Sequence, residues 1–216
     1  MIYSARHNYL FIHIPKTGGT SMALALEARA ARDDIMLGDT PKALRRRKRV
    51  AGVRSSGRLW KHARLRDLYG LLTPEQIDAA QVFTMVRNPW DRMVSYYHWL
   101  QDQSFEHAAV ALSKRLDFSA FLNHPQTRAS FQTNPYTSYV KTRDGVDACA
   151  LFVRLEHLEE DLPRLEALIG LKLRPFPHEN ASQRRPAFQS YYKDADRELL
   201  AALCASDIER FGYVFE

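Results

Sequence analysis

The sequence predicts an α/β fold, a central, mostly parallel sheet flanked by helices, in a single domain covering residues 1–216. Apolar runs rich in β-branched and aromatic residues at 9–14, 81–87 and 150–153 read as buried strands, and each leads into a stretch with helical periodicity. Strands that alternate with helices favour parallel pairing, because a parallel connection needs a crossover long enough to hold a helix. The 216 residues suffice for one substantial core and would be crowded as two full domains.

In chain order, strand 9–14 feeds a helix over residues 20–31 with Met22, Ala25 and Leu26 on one face. Residues 33–56 lack periodicity, include Arg45-Arg46-Arg47-Lys48-Arg49, and read as a loop or lid. A short strand at 59–61 ends at His62, and a helix covers 65–71. Thr73-Pro74-Glu75-Gln76 combines an N-cap hydroxyl, a first-turn proline and an acid, which opens the next helix. Strand 81–87 is interrupted by Pro89, and a helix runs from Asp91 to about Gln101. Further helices are predicted at 105–116, 118–122 and 134–140. Strand 150–153 leads to a helix lined by Leu158, Leu162, Leu165 and Ile169 and stopped by Gly170, with Pro163 distorting it or opening a second piece. Residues 175–188 are irregular, and one helix over 194–211 closes the chain.

Chemistry concentrates at the first strand end, Phe11-Ile12-His13-Ile14-Pro15-Lys16-Thr17-Gly18-Gly19-Thr20-Ser21. Glycines let a backbone approach an anion, successive N–H groups point into the concavity, and the next helix presents its positive end there. This is a phosphate cradle. Its order is not that of a Walker A loop, G-x-x-x-x-G-K-[ST], since Lys16 precedes Gly18 and Gly19. A second segment, Val82-Phe83-Thr84-Met85-Val86-Arg87-Asn88-Pro89-Trp90-Asp91-Arg92-Met93-Val94-Ser95, puts Arg87 at a strand end and Ser95 on the second turn of a helix.

Together the two segments resemble the 5′-phosphosulfate loop and the 3′-phosphate motif of sulfotransferases that use 3′-phosphoadenosine 5′-phosphosulfate (PAPS). Lys61-His62, Arg154-Leu155-Glu156-His157-Leu158 and Asp207-Ile208-Glu209-Arg210-Phe211-Gly212-Tyr213 resemble the small carbohydrate-type members, the heparan- and chondroitin-like branch, so the likeness covers most of the chain. It implies a P-loop-like three-layer fold, PAPS as donor, no metal, and a hydroxyl acceptor, most naturally a carbohydrate. Lys16, Thr17, Gly18, Gly19, Thr20 and Ser21 would then hold the 5′ end, with the hydroxyls of Thr17, Thr20 and Ser21 as donors. Arg87 and Ser95 would take the 3′-phosphate. Arg184 or Arg185 in a late loop is a further candidate for that phosphate. Arg92 is open between pairing with Asp91 and pairing with another carboxylate, and Arg154 with Glu156 reads as an ion pair or cap.

An acceptor hydroxyl attacks better when a base takes its proton, and histidine suits that work. Among eight histidines, His62 stands between the two motifs at an expected strand end, and the resemblance supports it as base alongside catalytic Lys16. With an unperturbed pKa, it would make activity rise with pH near about 6.5. His98 and His178 are the alternatives. Strict alternation turns His13 away from the loop and gives it a structural role.

Composition excludes several classes. No apolar run reaches the roughly 18 residues of a membrane span, and no signal-peptide pattern opens the chain, so a cytoplasmic enzyme is expected. Cys149 and Cys204 lack metal-ligand spacing and read as free thiols. The net charge of +6 comes from one stretch: residues 42–66 hold eleven of the 31 Lys and Arg and no Asp or Glu. That stretch is either a solvated loop or a surface for an anionic acceptor. Two other functions stay open: a nucleotide phosphotransferase, opposed by the missing Walker order, and a nonenzymatic binder of nucleic acid or a heparin-like polyanion; the sulfotransferase reading itself expects no nucleic-acid partner.

Overall fold

Phe11 and Phe83 stack at 5.3 Å, and Tyr9 tilts onto Phe83 at 5.9 Å, across two adjacent parallel strands at the centre of the sheet. The computed structural model describes residues 1–177 and 187–216. Its five strands are β1 (Ile2–Ser4), β2 (Tyr9–Ile12), β3 (Ile35–Met36), β4 (Gln81–Val86) and β5 (Cys149–Arg154), in the order β3-β1-β2-β4-β5. β2 pairs with β4, and β4 with β5, in parallel; β1 is antiparallel to both β2 and β3. The α/β architecture stands, and the sheet is mixed. The two strands of the antiparallel edge were not legible because β1, which runs against the others, is three residues long and β3 two, too short to show a period.

The helices are α1 (Gly19–Ala28), α2 (Pro41–Arg46), α3 (Pro74–Ala79), α4 (Pro89–Gln101), α5 (Ala108–Arg115), α6 (Phe118–Asn123), α7 (Pro125–Gln132), α8 (Thr137–Val140), α9 (Leu158–Ile169), α10 (Asp194–Leu203) and α11 (Ala205–Phe211). They fall into two compact units. The first holds Met1–Val86 and the return segment that starts at Tyr136; the second holds Arg87–Pro135 and the segment that ends at Glu216.

In the first unit, Met22, Ala25 and Leu26 of α1 and Leu162, Leu165 and Ile169 of α9 join Phe11, Phe83, Met85 and Val153 in one buried cluster, on the helix faces the sequence marks. Pro163 lies inside α9, which runs on as one helix to Gly170 at φ +65°. Thr73 and Gln76 form the expected reciprocal cap of α3. Residues 59–61 are not a strand, and 65–71 yields only a 3-10 turn, Leu65–Leu68. The expected loop at 33–56 instead contains β3, α2 and a 3-10 turn at Arg47–Val50. Its footing is Glu27, buried on α1, whose carboxylate accepts from the Thr40 hydroxyl and from the N–H groups of Lys42 (2.9 Å) and Ala43 (3.3 Å). That carboxylate supplies the cap of α2 that Thr40, at the N-cap position, does not.

In the second unit α4 is the central helix, contacting α5, α6 and α10. The closing helix breaks at Cys204 into α10 and α11, and burial pushes the Cys204 thiol up to about 12. Helix α7 was missed, since its polar face outnumbers its two buried residues, Thr127 and Phe131.

Arg154 does not pair with Glu156 as expected. Its guanidinium forks onto Asp161, Nε to Oδ2 and Nη2 to Oδ1 at 2.9 Å each, while its backbone N–H donates to the same carboxylate. Burial alone would raise the Asp161 pKa, yet the Arg154 bonds hold it below the usual carboxylate range. Asp161 therefore ties the end of β5 to α9. Asp161→Ala is expected to cost about 3 kcal/mol, near the lower end for breaking a buried pair because Arg154 keeps some access to water. The shift in urea midpoint checks this.

Candidate active site

After Ile12 the chain leaves the sheet and turns sharply. Lys16 adopts φ +66° and Gly18 φ +82°, so two left-handed residues fold the 15–18 segment back over the entrance to α1. A non-glycine residue at such φ is uncommon, and at Gly18 a β-carbon would also press within 2.8 Å of Leu155 Cδ1. Helix α1 starts with no side-chain cap and no acidic residue in its first turn, so its positive end is left for an external anion. These features fit a phosphate-bearing ligand. The Thr17 hydroxyl, however, is fully buried and donates to Ile14 O at 2.9 Å. Its proton is committed to the turn, which corrects its expected use as a ligand donor; Thr17 can contribute through its backbone. Thr20 is partly exposed at the start of α1, and Ser21 is buried one position on.

His13 is not turned away from this loop. Its ring packs on Gly19 so closely that a β-carbon there would collide with the imidazole, and it meets the His62 ring edge to face at 4.6 Å. Alternation fails because β2 ends at Ile12, one residue earlier, where the pleat stops. His62 Nδ1 lies 2.8 Å from the His13 carbonyl oxygen. A carbonyl only accepts, so Nδ1 carries the proton and Nε2 keeps its lone pair. The backbone before His62 is held in turn by Met1, whose nitrogen donates to Lys61 O at 2.8 Å and Leu37 O at 2.9 Å. The first unit thus brings Lys16, Thr17, Gly18, Gly19, Thr20, Ser21, His13 and His62 into one neighbourhood.

In the second unit, Arg87 follows β4 directly and forms an ion pair with Asp91, Nη2 to Oδ2 at 2.5 Å and Nε to Oδ2 at 2.7 Å. Asp91 and Ser95 are four apart on α4 and share a face. Asp91 is thus the partner of Arg87, and Arg92 lies buried with its guanidinium 5.4 Å from the Phe131 ring. The Asp91 contact fixes the plane of the guanidinium, a positioning role the sequence reading missed although the i, i+4 spacing was visible. His98 packs edge to face against Tyr97 and Tyr191. His178, Arg184 and Arg185 lie outside the described residues.

A family model described as the sulfotransferase family matches residues 1–214, nearly the whole chain. The chain belongs to the sulfotransferase family. No curated protein sequence matches it significantly. Among solved structures it is similar to mouse sulfotransferase SULT7A1 complexed with PAP, at 17% identity over 96% of this chain and 86% of that one, with a TM-score of 0.52. That likeness carries the P-loop-like fold, and family membership sets aside the phosphotransferase reading.

In this sulfotransferase, burial pushes the pKa of His62 down to about 4; the bond to His13 opposes that shift and the Lys61 charge adds to it. His13 lies well below its ordinary value, through burial first and the neighbouring His62 next. Both rings are therefore neutral at pH 7. The expectation of a transition near 6.5 is corrected, because it took His62 as solvated. Nitrogen-15 NMR is expected to show His62 protonated on Nδ1 at pH 7 and titrating near 4, whereas a midpoint at the model-peptide value, about 6.5, would contradict the packed arrangement.

Proposed function

We propose that this sulfotransferase moves a sulfuryl group from PAPS to a hydroxyl of a carbohydrate acceptor, with His62 as general base. The observation that carries this reading is the pairing of an uncapped, acid-free helix start with a neutral histidine whose Nδ1–H is tied to a carbonyl beside it. The PAP named with the mouse neighbour is the nucleotide that PAPS leaves behind.

His62 Nε2 accepts the proton of the acceptor hydroxyl as that oxygen forms its bond to sulfur. The bond from sulfur to the 5′-phosphate oxygen breaks, and its electron pair stays on that oxygen. Lys16, the backbone of residues 17–20 and the hydroxyls of Thr20 and Ser21 neutralise the charge gathered there. The products are a sulfate ester, PAP and a protonated His62, which returns its proton to water. Arg87, held in plane by Asp91, and Ser95 take the 3′-phosphate. These protein cations handle the charge, and the proposal requires no metal. The acceptor has one requirement, a hydroxyl within reach of His62.

Incubation of the protein with labelled PAPS and a panel of glycans, lipids and small alcohols tests the reaction, with sulfated product detected by mass. Absence of transfer to every glycan, with transfer to another class, would replace the carbohydrate. Lys16→Ala is expected to lower turnover by roughly 10²-fold or more in a folded protein. His62→Ala is expected to lose roughly 10²- to 10⁴-fold in turnover while binding PAP normally. Because a base must be unprotonated to act, kcat/KM should be flat from pH 6 to 8 and fall only as the pH drops toward the His62 value of about 4.

Donor recognition separates from chemistry in a binding experiment. Arg87→Ala and Ser95→Ala should weaken 3′-phosphorylated adenosine nucleotides far more than analogues without that phosphate, by roughly tenfold or more for the arginine. Equal losses for both nucleotides would assign the two side chains elsewhere.

A further inference from the structure

Two cavities of the first unit share Met36, Leu37, Gly38, Asp39 and Lys61 as walls. The smaller, about 10 Å³, reaches His13 and Thr20 of the cradle. The larger is an open cleft of about 440 Å³ that extends to Arg47, Val50, Leu59 and Trp60. The space beside the phosphate cradle therefore adjoins a cleft large enough for a sugar ring and its substituents.

Charge in this cleft is uneven. Lys61 is neutralised by Asp39, its ion-pair partner. Three other cations of the basic stretch are turned toward backbone oxygens: Lys42 to Glu27 O, Arg46 to Asp34 O and Arg49 to Arg32 O. Arg47 is exposed, its backbone N–H donates to Leu44 O, and its guanidinium forms no hydrogen bond or ion pair with any described residue. Arg58 lies over the Trp60 ring at 4.9 Å, and Trp60, 40% exposed, meets the His62 ring edge to face at 5.0 Å. The cleft thus has a net positive wall and an aromatic surface one ring from the base.

Resting on the sulfuryl-transfer reading above, we propose that this cleft seats the part of the acceptor that carries an anionic group, a carboxylate or a sulfate ester. Arg47 is its specificity-determining residue, and Trp60 is the apolar surface against which the acceptor lies. A guanidinium with no side-chain partner among the described residues gives up no contact with them when it binds an anion, and its planar fork matches both carboxylate and sulfate oxygens. The paired Asp39 adds no net repulsion, since Lys61 cancels it. The basic stretch is therefore selective at one position and tethered at others, which narrows the surface for an anionic acceptor from the whole stretch to Arg47.

Calorimetric titration with p-nitrophenyl β-D-glucuronide, the corresponding glucoside and its 6-sulfate tests this, on the protein with and without PAP. The glucuronide or the 6-sulfate should bind about tenfold tighter than the neutral glucoside, and whichever anion binds tighter identifies its source. Arg47→Glu should abolish that preference. Arg45→Glu, an identical charge change at an exposed residue outside the cleft, should keep it. Equal affinity for all three glycosides, no binding of any, or equal losses in the two variants would overturn the assignment. A protein that prefers the anionic glycosides yet binds no PAP would overturn the donor reading and leave the cleft assigned; one that binds PAP without preference would do the reverse.

Discussion

The bond between His62 Nδ1 and the carbonyl of His13 is the contact on which the candidate chemistry rests, because it decides which nitrogen of the imidazole keeps its lone pair. That carbonyl belongs to the first residue beyond β2, and the same residue's ring packs on Gly19 at the mouth of α1. Anion cradle and proposed base are therefore positioned by one short piece of backbone leaving the sheet. The core behind it, Phe11 against Phe83 with α1 and α9 packed on the same cluster, gives that piece a rigid origin.

Electrostatics follow from the same packing. Two imidazoles at 4.6 Å cannot both charge without repulsion, and burial already disfavours the charged form of each. On the proposed reading, the site keeps its cations where an anion is to be held and its neutral rings where a proton is to be received. Arg87 follows the opposite logic in the second unit: Asp91 stays beside it and spends part of its charge, in exchange for a fixed guanidinium plane.

Much of this was legible in the chain. The two left-handed positions sit at the lysine and first glycine of the cradle motif, and the buried stripes of α1 and α9 follow the periodicity of Met22, Ala25, Leu26 and of Leu162, Leu165, Ile169. What escaped was set by tertiary contact. His13 followed alternation only as long as the pleat lasted. The pKa of His62 depends on burial that no local pattern records. Arg154 found Asp161 rather than Glu156 because the first turn of α9 brings that carboxylate back to the strand end. The cleft at Arg47 needed residues from three separate stretches of sequence, which spacing alone does not assemble.

Glu27 has a consequence for how such a protein can diverge. Its carboxylate anchors the start of α2 from within, through backbone N–H groups and one hydroxyl, so the anchor is indifferent to the side chains displayed beyond it. Arg45, Arg47 and Lys48 are exposed and can be exchanged with little effect on the core. With the acceptor seated as proposed, selection can retune which molecule is modified by editing the outer surface of one short helix and its following turn, while the start of α1 stays untouched.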